Sequence, residues 1–106
     1  MSPIRYPIRV HYSPIPVKTL LKNMKDFSSL MLDLAYYSVV YSDRSLAKEV
    51  LKLEDHVDTM SELLIMQAAL AVRDAEDAEK MVSVFRLASS TDKISDAAAD
   101  IAMMVL

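Results

Sequence analysis

From Lys18 to about Tyr41 the apolar residues Leu20, Met24, Phe27, Met31, Leu34 and Ala35 recur at the spacing of one helix face. The segment YSDRS (41–45) interrupts that pattern, with Ser42 or Asp43 placed to cap whatever follows. A second seam, Leu46, Val50, Leu53, Val57, Met60 and Leu64, alternates steps of four and three and predicts a helix from about Leu46 to Val72. RDAED (73–77) then restarts the count: Asp74 can cap, and Asp77 stands three positions on, where its carboxylate can reach back. A third helix is expected from about Ala75 to the last residue. After MMV comes Leu106, with no Gly, Asn, Pro or cationic turn to stop it. The expectation is a helix that continues into a longer chain, or an end buried against a partner.

Three helices of ~24–32 residues, each ~36–48 Å long, joined by short turns make an all-α, antiparallel up-down-up three-helix bundle. The domain spans residues 18–106. Residues 1–17 form a Pro-rich N-terminal arm: Pro3, Pro7, Pro14 and Pro16 exclude a helix, and Arg5, Arg9 and His11 make it mildly basic. The arm is expected to be extended and to strap over the bundle; the other reading is a basic peptide that contacts a second domain or anionic lipid.

Composition sharpens this picture. Hydrophobic residues are 53% of the chain although it has no Gly, above the ~45–50% usual when Gly is counted. A three-helix rod has a narrow core, so the excess points to an apolar face buried in a homodimer, a larger helical bundle. The longest near-apolar run, LLIMQAALAV (63–72), lies between Glu62 and Arg73 and falls short of the ~20 residues a membrane span needs. The N-terminus has no apolar stretch like a signal peptide. A net charge of −3, from 12 basic and 15 acidic residues, provides no basic field for nucleic acid. With no Cys there is no disulfide framework, thiolate nucleophile or Cys-type zinc site, which fits a cytoplasmic domain.

Candidate chemistry lies in the carboxylates. On a wheel of ~100° per residue, Glu54 and Asp58 fall at the border of the second helix's apolar seam, while Lys48, Lys52, Asp55, His56 and Glu62 share its polar arc. In the third helix, with Ala78 set at zero and Met81, Val82 and Phe85 taken as core, Asp92, Asp96 and Asp100 fall near about 320°, 0° and 40°, on the same arc. A hairpin folded about Arg73 sets Glu54 level with Asp92, with Asp58 and Asp96 about one turn to either side. Converging carboxylates cannot stay buried, ionised and alone. They are protonated, paired with a base such as Lys52, Arg86 or Lys93, or bound to a hard cation: Mg²⁺, Mn²⁺, Fe or Ca²⁺. The two His residues do not complete a carboxylate–histidine di-iron motif, and His56 reads as a surface residue.

KEVLKLEDHVDTM (48–60) and STDKISDAAADIA (90–102) resemble the two signature segments of PhoU-like helical domains, three-helix units that repeat an E/D-x-x-x-D pattern on paired helices. The pattern falls on Glu54 and Asp58, and on Asp92 and Asp96, with Asp100 where the family often has Asn. The longer stretch from Val17 to Asp58 is similar to archaeal proteins in which an N-terminal PhoU-like domain precedes a TrkA C-terminal-type ligand-binding domain, grouped with potassium channel and transport regulation. The resemblance implies that a TrkA-C-type domain and a membrane transporter or channel are partners. It also implies a cytoplasmic module peripheral to the membrane, and a divalent metal ion bound by Glu54, Asp58, Asp92, Asp96 and Asp100. The chain departs from the family at Met103, where an acidic residue is common, and at Ala97, where His is common; fewer ligands remain for a multinuclear cluster.

Three functions are therefore expected in descending order. The first is a non-catalytic regulatory and dimerisation domain of a potassium channel or transport-associated protein. The second is a PhoU-type regulator of phosphate uptake, whose family usually carries two tandem three-helix repeats. A remote third is a carboxylate-bridged metal-dependent enzyme.

Overall fold

A computed structural model describes residues 16–106; the expected arm lies outside the described residues but for its last two positions. Three helices follow one another: α1 (Val17–Val40), α2 (Arg44–Ala71) and α3 (Ala75–Met103). Each packs on both of the others, the up-down-up bundle that the periodicity predicts. None of the described helices is long and apolar enough to cross a membrane.

The turns follow from their residues. α1 ends in a Schellman motif: the Asp43 amide donates to the Ser38 carbonyl (2.9 Å) and the Ser42 amide to the Val39 carbonyl (3.3 Å). This geometry needs a left-handed residue, and Ser42 supplies it at φ 50°. Asp43 then caps α2, accepting from the amides of Ser45 (2.9 Å) and Leu46 (3.1 Å). Asp74 caps α3 by accepting from the Asp77 amide (2.9 Å), while the Asp77 carboxylate reaches back to the Arg73 amide (3.1 Å). α3 stops short of the end of the chain: Met104, Val105 and Leu106 donate to residues three back, tightening it into a final 3₁₀-type turn. Arg44 closes that end, its guanidinium donating to the Leu106 carbonyl at 3.2 Å.

The core is asymmetric. α1 contributes Leu20, Met24, Met31 and Ala35, and α2 contributes Val50, Val57 and Leu64, all fully buried, with Phe27, Leu34, Leu53 and Met60 packed at their flanks. The predicted seams of both helices are therefore the observed ones. α3 differs. Its inward line is Met81, Val84, Ala88, Thr91, Ser95, Ala98 and Ala102, also spaced by threes and fours, of which the last five are buried. Ala78, Val82 and Phe85, the expected anchors, are exposed. On the wheel used above the true seam centres near about 250°, some 70–150° away from the aspartates. Small residues on the inward line of α3 let α1 and α2 approach closely, and their large side chains fill the space.

Candidate functional site

The carboxylates gather along the groove between α2 and α3 rather than inside the core. Asp92 and Glu54 are partly buried, whereas Asp58, Asp96 and Asp100 are exposed. The inward orientation expected of the three aspartates of α3 therefore holds only in part, and only for Asp92, because the core seam lies beside them.

Four of the five converge. Glu54 faces Asp96 across the groove, close enough for their carboxyls to interact, and the charge of Asp58 acts on both of them. Burial raises the Glu54 carboxyl above its ordinary value, and the charges of Asp58, Asp96 and Asp55 push it further in the same direction. The Asp58 carboxyl is raised by burial and then by Asp96, Asp55 and Glu62. Asp92 is raised by burial, partly offset by the Ser61 hydroxyl, which donates to its Oδ2 at 3.1 Å. Its Oδ1 is buried and without a partner. Asp100 contributes to none of these shifts and stands apart from the group.

The register is offset from the expected one. Asp92 meets Ser61 rather than lying level with Glu54, and Glu54 meets Asp96. The cause is the linker: Val72 and Asp74 are extended, so the chain runs on past the end of α2 before turning back. The first turns of α3 consequently overhang, and their side chains are mostly exposed.

The bases weighed against these acids do not reach them. Lys52 bonds Glu49 (3.3 Å), and among the described residues the other ion pairs are Lys22–Asp26 and Lys80–Glu76. Nor do the carboxylates form a ready cation cage: among the described residues no three His, Asp or Glu side chains are grouped to hold one ion. His56 is exposed, with its ring stacked on Phe27 at 6.0 Å.

Just beyond the acids the groove becomes apolar. Ser61, Ile65, Phe85, Ala88, Ser89 and Asp92 line a cavity of about 300 Å³. Sequence reasoning did not find Ser61, Ile65 or Phe85 here. A serine on a helix carries no periodic signal, and hydropathy places Phe85 in the core. A second groove lies at the opposite end of the bundle, between α1 and α3, lined by Leu32, Tyr36, Val39, Val40, Ile101 and Met104. From Tyr36 the aromatic contacts run on along α1: Tyr36 meets Tyr37 edge to face, with centroids 5.4 Å apart, and Tyr37 stacks on Tyr41 at 6.0 Å.

Residues 21–105 match the family model described as the PhoU domain. No curated protein matches the chain.

Proposed function

Because this chain belongs to the PhoU domain family, a family of regulatory helical domains, we propose that it is the non-catalytic regulatory and dimerisation domain of a potassium channel or transport-associated protein. The observation that carries the dimerisation is the apolar groove between α1 and α3. Tyr36, Val40 and Met104, which line it, are each more than half exposed (63%, 53% and 76%), in a domain whose own core is small. A second copy would bury these side chains against their equivalents and extend the bundle. Such a module works through packing: a ligand sensed in a partner domain changes how two copies sit together, and a transporter or channel responds. The similarity of the stretch from Val17 to Asp58 to potassium-linked proteins favours potassium over phosphate.

Light scattering on the purified chain at tens of micromolar tests the first half. A dimer that dissociates on Met104→Lys, with helicity unchanged, is expected; a strict monomer rejects it. The family match itself also suits a regulator of phosphate uptake. The reading frame around this chain separates the two: an adjoining second three-helix repeat favours phosphate, an adjoining β-containing ligand-binding domain favours potassium.

A further inference from the structure

The groove between α2 and α3 combines features that ask for one kind of occupant. Its floor is apolar, with Ile65 and Phe85 exposed. Around it stand Glu54, Asp58, Asp92 and Asp96, and none of them has a cationic partner among the described residues. A segment that interleaves apolar and basic side chains would satisfy both at once. The chain contains one: in SPIRYPIRVHY (2–12), Ile4, Tyr6, Ile8, Val10 and Tyr12 alternate with Arg5, Pro7, Arg9 and His11. The arm holds two of the 12 basic residues and none of the 15 acidic ones, so the rest of the chain carries 10 against 15.

We propose that residues 2–12 of the same chain dock in the α2/α3 groove, with apolar side chains against Ile65 and Phe85 and Arg5 and Arg9 on the carboxylates. The reach is sufficient. α1 starts at the end of the bundle where α2 finishes, and Ile65 lies about 10 Å before that end. Arg9, seven residues before Pro16, reaches ~23 Å along an extended chain, and Arg5 ~36 Å. Guanidinium groups suit this place because their forked donors can bridge two carboxylates. Their long stems allow the charge to fold back to the rim while neighbouring residues enter the cavity. The prolines keep the segment from forming a helix.

The absence of Cys makes the test clean. A nitroxide on His11→Cys in the full chain should strip intensity from the backbone amides of Ser61, Ile65, Phe85 and Asp92, and leave Ser45, about 24 Å further along α2, untouched. The loss should fade as salt approaches 1 M, where screening reaches only ~3 Å. It should vanish in the Arg5→Glu/Arg9→Glu variant, with circular dichroism confirming unchanged helicity. No broadening, broadening spread over the whole surface, or broadening that survives the charge reversal would each overturn the proposal. So would broadening seen only when spin-labelled protein is mixed with isotope-labelled, unmodified protein, because the arm would then come from a second copy.

Discussion

Ser42 holds a left-handed conformation in a chain that has no glycine. A side chain with a Cβ pays about 1–2 kcal/mol there, and the cost is tolerated because the same four-residue turn closes the Schellman bonds of α1 and positions the Asp43 cap of α2. Ser42→Gly relieves it and is expected to stabilise the protein by about 0.5–1 kcal/mol after the added freedom of the unfolded chain is subtracted. In a domain of this size that raises Tm by several degrees, read by calorimetry; Ser42→Val should lower it. The carboxylates make a second prediction. Glu54, Asp58 and Asp92 have raised pKa values in the folded state, so the native protein holds more protons than the unfolded chain between the two sets of values. Their contribution is therefore most favourable at the acid end of that window and is lost as pH rises through the folded pKa. In the Arg5→Glu/Arg9→Glu variant, which keeps the arm off these carboxylates, urea midpoints should therefore be higher at pH 5 than at pH 7. Adding Glu54→Gln should narrow that gap, and the chain with its arginines intact, which favour the ionised carboxyls, should show a smaller one.

At the level of elements, α1 and α2 were legible because their inward positions are Leu, Met, Val and Phe, which hydropathy detects. The inward line of α3 is Ala, Ser and Thr over its buried half. Hydropathy therefore favoured Val82 and Phe85, one face around, and that error turned the aspartates inward. The caps were readable from their local chemistry, since Asp43 and Asp74 both do what aspartate does before a helix. The offset between α2 and α3 was not, because it depends on the linker being extended rather than on any side chain. What survived is the grouping of Glu54 and Asp58 with Asp92 and Asp96: helical spacing keeps i and i+4 on one face whatever the register. Asp100 lay one turn too far. If close approach is the role of the α3 seam, enlarging it should hurt: Ala98, fully buried, replaced by Leu should cost about 1–3 kcal/mol. Ala97→Leu, on the exposed side of the same turn, should leave the denaturation midpoint nearly unchanged.

Considered whole, the molecule has two unlike ends. One carries the apolar groove of α1 and α3, with Tyr36, Val40 and Met104 along it; the other carries the overhanging start of α3, with the carboxylate-rimmed groove leading away from it. Packing energy is also uneven. A buried alanine removes little more than one methyl group from water, about 0.8 kcal/mol, against about 1.5–3 kcal/mol for a buried Leu, Met or Val. The pair α1–α2 therefore holds most of the hydrophobic stabilisation, and α3 is the most weakly held of the three. The overhang of its first turns gives this weakness a direction. Local opening should begin there, so amide protons from Ala75 to Leu87 exchange with solvent through small, frequent excursions while those of the α1–α2 hairpin wait for global unfolding. The helix that bears Asp92 and Asp96 thus loosens from the end nearest the cavity, and whatever fills that cavity sets the rate at which it does so.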